Sequence, residues 1–175
     1  MFIQTLQLQH FRCFDQTLVH FSPITLIEGA NGCGKSSLLE SLHYACYLRS
    51  FRTPSPKDLI SFGQPAFFME LSIQDNLDCN SEYSILCNTL QVGFSGKKRQ
   101  VKIDGNPIAS YKQIIEIYRI ITVTEEDLSL VKGLPELRRR FLDQALLVAQ
   151  PNYASLIRNY LAVLRQRNIL LSSKI

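Results

Sequence analysis

Residues 2–8 alternate apolar and polar side chains (Phe2, Leu6, Leu8), the period of a half-buried strand. A second short strand is predicted over 17–21, followed by a turn at Ser22-Pro23. Ile24-Thr25-Leu26-Ile27 is a short β-branched run, which predicts a central strand. It runs into a glycine-containing loop, Glu28 to Gly34, and then the period changes. Leu38, Leu39, Leu42, Ala45 and Cys46 recur at helical spacing and predict an amphipathic helix. Arg49 to Pro56 reads as loop. Phe67–Ile73, Tyr83–Leu90 and Arg99–Ile103 predict three antiparallel strands, with Asp104-Gly105 as the turn after the third. A short helix is expected over 111–118 and a strand over Arg119–Thr124. Pro135 suits the first turn of a helix whose stripe is Leu137, Phe141, Ala145 and Val148. After Pro151-Asn152, a last helix runs from Tyr153 with Ile157, Tyr160, Leu161 and Leu164 on one face, and no stop signal precedes Ile175.

With 46% hydrophobic and 19% charged residues, the chain of 175 residues is a globular domain or part of one, not a disordered tail. No apolar run approaches the roughly 20 residues of a spanning helix. The opening MFIQTLQLQHFR has no basic n-region and no small-residue cleavage site, so neither a membrane anchor nor a signal peptide is expected. The five cysteines contain no CxxC pair and read as reduced thiols of a cytoplasmic protein. The net charge of +4 is unevenly spread: residues 1–95 hold 5 Lys/Arg against 8 Asp/Glu, and residues 96–175 hold 14 against 7. A basic second half fits a polyanionic partner and fits ordinary surface charge equally well.

Gly29-Ala30-Asn31-Gly32-Cys33-Gly34-Lys35-Ser36 matches G-x-x-x-x-G-K-[ST], the phosphate-binding P-loop. Glycines let successive backbone N–H groups turn inward around phosphate oxygens. The helix beginning near Lys35 aims its positive end at the same anion. Lys35 supplies a cation between the β- and γ-phosphates of ATP, and Ser36 offers its hydroxyl to Mg²⁺. A chance match in a chain this long is roughly 0.6% at average glycine usage, so a plain glycine-rich turn is the weaker reading. No His-Glu-x-x-His, nucleophile elbow or EF-hand loop is present, and His10, His20 and His43 are scattered.

Three blocks go further than the P-loop. LQLQHFRCFDQTLVHF, EGANGCGKSSLLESLHYACYLRSFRT and EEDLSLVKGLPELRRRFLDQAL, with YLAVLRQRNILL at the end, resemble the RecF family of bacterial DNA repair ATPases, in the family's order. The resemblance implies an α/β P-loop NTPase fold of the ABC/SMC-like head type, with a small antiparallel sheet over 66–103 and a C-terminal helical segment. It implies a nucleotide-binding lobe over 1–135 and the start of a helical lobe over 136–175. Full-length members are about twice this long, so the chain is similar to the N-terminal half only. It shows no LSGG-type signature and no apolar run ending in Asp-Glu, the Walker B strand that the catalytic glutamate follows. Where the family has Ser-Pro before Glu-Asp-Leu, this chain has Val123-Thr124-Glu125.

The resemblance also implies that Arg12 reaches nucleotide phosphate and that Arg49 and Arg52 lie near the nucleotide or a partner head; solvated loop charge is an equal reading of the last two. Arg138, Arg139 and Arg140 cannot all face one way on a helix, and DNA contact and solvent share them evenly. The implied function is ATP and DNA binding in replication, recombinational repair and the SOS response. Its partners would be single-stranded DNA, single/double-strand junctions, a second copy of the full-length protein and other recombination mediator proteins. The alternatives are an SMC-like structural head in which ATP gates assembly, and a stand-alone P-loop kinase.

Overall fold

The computed structural model describes residues 2–74, 87–108, 110, 112–118, 120–128, 130, 133–150 and 152–172. The chain divides into two compact units, Met1–Ile120 and Ile121–Ile175.

The first unit is built on one antiparallel sheet of six strands: β1 (Phe2–Phe11), β2 (Phe14–His20), β3 (Phe67–Gln74), β4 (Cys87–Phe94), β5 (Arg99–Ile103) and β6 (Asn106–Pro107). Their spatial order is β2-β1-β3-β4-β5-β6. The strands of the 66–103 region therefore continue the β1–β2 hairpin across a single sheet, with Leu6 opposite Leu71 and Leu71 opposite Leu90. Strict alternation buries Phe67, Met69, Leu71 and Ile73 of β3 on one face. Helix α1 (Lys35–Tyr47) contributes Leu38, Leu42, Tyr44, Ala45 and Cys46 to the same core. Burial pushes the Cys46 thiol up to about 12. Leu39, placed on this face from sequence, is exposed, and Glu40 and Tyr44 are buried in its stead. Helix α2 (Lys112–Ile117) adds Ile114, and the Tyr47 hydroxyl donates to the Ile120 carbonyl at 2.5 Å. Strand β4 begins at Cys87; residues 83–86 of the predicted strand lie outside the described residues.

Two predicted strands do not form among the described residues. Ile24–Ile27 is irregular; Ile24 is 93% and Leu26 80% exposed, and only Ile27 packs against the core. A strand needs a neighbour for its N–H and C=O groups, and none of the described strands pairs with this run. The expected turn before it is present, with the Ser22 N–H donating to Thr25 Oγ1 at 2.9 Å. Residues 120–124 are likewise irregular, and Arg119 lies outside the described residues. Here Asp127 accepts the Thr124 N–H at 2.6 Å and its hydroxyl at 3.1 Å. That cap starts a 3₁₀ turn, Glu125–Leu128, at the point where an extended chain would otherwise continue.

The second unit holds α3 (Pro135–Ala149), with proline in its first turn as expected, and α4 (Tyr153–Ser172). The Tyr153 hydroxyl donates to Asp143 at 2.6 Å, and that bond pushes its pKa up. Of the stripes read from sequence, Leu137, Ile157 and Leu164 are half-buried, whereas Phe141, Ala145, Tyr160 and Leu161 are exposed. None of the described helices is long and apolar enough to cross a membrane.

Candidate phosphate-binding site

The loop 28–34 lies at the surface and leads directly into α1. Gly32 and Gly34 carry φ of 86° and 101°, the left-handed region that side chains disfavour. A Cβ on Gly34 would also sit 2.7 Å from Cys13 Sγ and 2.9 Å from Phe14 Cζ. Glycine there lets the β1–β2 turn close against the loop. Gly34 is the N-cap of α1, with no side-chain cap and no acidic residue in the first turn. The first helical bond runs from Leu38 N–H to the Gly34 carbonyl at 2.9 Å, so the amides of Lys35, Ser36 and Ser37 are free of the α-helical ladder. An anion at this end meets unopposed N–H dipoles. Lys35 folds back onto the loop, donating from Nζ to the carbonyls of Gly29 at 2.7 Å and Ala30 at 2.8 Å. Ser36 is exposed beside it.

These features fit a nucleotide with its cation. The loop offers donors and a lysine whose present partners are neutral carbonyls, so a phosphate is a stronger acceptor for it. No cluster of three His, Cys, Asp or Glu occurs among the described residues. Ser36 would offer its hydroxyl to a Mg²⁺ ion carried by the phosphates.

Arg12 lies at the β1–β2 turn with φ of 53°. Its guanidinium grips Glu40 through Nε at 2.9 Å and Nη2 at 2.8 Å, and donates through Nη1 to the Asp58 carbonyl at 2.9 Å. Glu40 has no exposed surface. Arg52 approaches the same carboxylate at 3.5 Å and the Ser37 hydroxyl at 3.5 Å. Arg12, Arg52 and the loop are thus brought together. Arg49 is exposed near His43 instead; burial first, and then the Arg49 charge, hold His43 below the usual histidine value of 6.5, against an opposing pull from Glu40. Arg138, Arg139 and Arg140 are exposed in the second unit, Arg138 donating to the Gly133 carbonyl at 3.2 Å. Glu40 is the residue that sequence reasoning missed. It stands on the opposite side of the helix from the Leu38–Leu42–Ala45 stripe, so the apolar spacing does not mark it.

A family model described as an AAA domain matches residues 5–168. The DNA replication and repair protein RecF of Protochlamydia amoebophila (strain UWE25) is 35% identical over 175 residues, 99% of this chain and 46% of that protein. The RecF protein of Ligilactobacillus salivarius (strain UCC118) is 33% identical over 96% of this chain and 42% of its own length. The chain spans less than half the length of the curated relatives it matches. Among solved structures, the recombination mediator protein RecF-ATPrS in the RecFOR pathway superposes with a TM-score of 0.81 at 24% identity, covering 98% of this chain and 45% of that one. A structure from work on ATP-driven dimerization and DNA-stimulated activation of SMC ATPases superposes with a TM-score of 0.63 at 20% identity, covering 82% and 98%. The fold is that of a P-loop ATPase of the RecF and SMC-head type.

Proposed function

This chain belongs to the AAA-domain family, and from that premise we propose that it is the nucleotide-binding portion of a RecF-type protein, holding ATP with Mg²⁺ at residues 29–36. The observation that carries the reading is the junction of loop and helix: left-handed glycines at 32 and 34, free first-turn amides and Lys35 resting on neutral carbonyls. Backbone amides from Gly29, Ala30, Asn31, Gly32, Cys33 and Gly34 line the phosphate path. Lys35 exchanges its contacts with the Gly29 and Ala30 carbonyls for phosphate oxygens, and the Ser36 hydroxyl serves the metal. Arg12 has three of its five N–H groups engaged among the described residues, and its other donors serve a nucleotide phosphate.

In the whole protein this portion works in replication, recombinational repair and the SOS response. It acts in the cytoplasm on single-stranded DNA and single/double-strand junctions, as a homodimer and with other recombination mediators. The basic second half of the chain supports the DNA reading, because phosphate contacts are made by Lys and Arg. Calorimetric titration with Mg-ATP tests the site. Lys35→Ala removes a charge-assisted contact worth about 1.5–3 kcal/mol, roughly a 10- to 150-fold loss of affinity. Unchanged binding by that variant would rule the loop out as the site.

A further inference from the structure

Glu40 lies on α1 with no exposed surface, and its carboxylate gathers groups from two separate parts of the chain. From the β1–β2 turn, Arg12 binds both oxygens, at 2.9 and 2.8 Å. From the loop after α1, the Ser50 hydroxyl donates to it and Arg52 stands 3.5 Å away. Ser50 Oγ in turn accepts the N–H groups of Arg52 at 2.9 Å and Thr53 at 3.0 Å, so the loop's backbone is fixed through the same carboxylate. Both arginines border the phosphate loop. Cys13, the residue after Arg12, has its thiol packed against Gly34. Arg52 reaches the hydroxyl of Ser37, the neighbour of Ser36.

We propose that Glu40 is a positioning residue for the nucleotide: it touches no ligand, but it holds Arg12 and Arg52 as a pair of cations flanking the loop, where they select a triphosphate over a diphosphate. This rests on the nucleotide-binding reading given above. The sign of the effect separates it from two simpler roles. By charge alone, a carboxylate near a polyanion weakens binding, so neutralising Glu40 would strengthen it. As a plain structural staple, Glu40 would stabilise the fold and treat every nucleotide alike. A positioning role gives the opposite sign to the first and a discrimination absent from the second. Burial sharpens the geometry: a bidentate guanidinium–carboxylate pair with one partner wholly out of water has a single good arrangement.

The test is calorimetry of the 175-residue chain with Mg-ATP and with Mg-ADP, on wild type, Glu40→Gln, Arg12→Ala and the double variant. Glu40→Gln is expected to weaken Mg-ATP about tenfold and Mg-ADP less than about twofold. The loss in the double variant should be smaller than the sum of the two single losses, because Glu40 acts only through Arg12 and Arg52. Arg52→Ala changes a side chain that is 46% exposed, and should show the same selective loss at little cost to folding. It keeps the question answerable if Glu40→Gln does not fold. Tighter Mg-ATP binding by Glu40→Gln, equal losses for the two nucleotides, or additive losses in the double variant would each overturn the proposal while leaving nucleotide binding itself standing. Wild-type chain that binds neither nucleotide would overturn both readings.

Discussion

At Gly34, backbone and packing make the same demand. Its φ of 101° disfavours any side chain, and an added Cβ would press on Cys13 Sγ and the Phe14 ring. Gly34→Ala is expected to cost about 1–3 kcal/mol in denaturant unfolding and to weaken nucleotide binding, since the loop must open to seat the methyl group. The motif's G-K-S was plain in the sequence, but the contact explaining its last glycine was not, because Cys13 and Gly34 meet only through the fold. His43 sets a pH dependence. Burial and Arg49 hold its folded pKa below the usual 6.5, so the unfolded chain takes up the proton first. Its contribution to stability is full above about pH 6.5 and is lost as pH falls from there through the folded value. Melting temperatures taken from about pH 8 to about pH 5 should fall in wild type, and the fall should be shallower in His43→Gln. An equal slope in the two proteins would remove His43 as the cause.

The strands of the antiparallel sheet were legible wherever one face is buried and the other wet. β3 alternates without a break, and residues 67, 69, 71 and 73 are the buried ones. Leu71 sits between Leu6 and Leu90 with no exposed surface, so Leu71→Ala should cost about 2–5 kcal/mol in chemical denaturation. A loss below about 1 kcal/mol would mean that the sheet relaxes around the cavity. The run Ile24–Ile27 shows where pattern reading stops. Its composition suits a buried strand, yet pairing depends on a neighbour that composition cannot supply, and Ile24 and Leu26 face solvent. The run 120–124 failed for a different reason: Thr124 and Asp127 share a local cap that outweighs β-propensity. Glu40 escaped notice because its partners lie 28 and 10 residues away in sequence, at Arg12 and Ser50. Side-chain patterning along one helix carries no trace of such contacts.

Taken as a whole, the 175 residues carry the P-loop motif, but none of the described acids is set to aim water at a phosphate bound there. Phosphoryl transfer to water needs an acid or amide that positions the attacking oxygen in line with the leaving group. In the family that this chain resembles, that group follows the Walker B strand, which is not in this sequence. Of the candidate acids Glu28, Glu125, Glu126 and Asp127, the side chain of Glu126 lies outside the described residues, and the described acids are otherwise engaged or exposed. Glu40 is buried and bound to Arg12. Asp127 accepts two bonds from Thr124. Glu28 and Glu125 are exposed. The chain alone is therefore expected to bind Mg-ATP without turning it over. Phosphate release from wild-type chain, with and without single-stranded DNA, should match the Lys35→Ala blank. If release stands well above that blank, one of these acids does position water. In that case, substituting Glu28, Glu125, Glu126 and Asp127 one at a time by the corresponding amide would show which, because only the active one should return the rate to the blank.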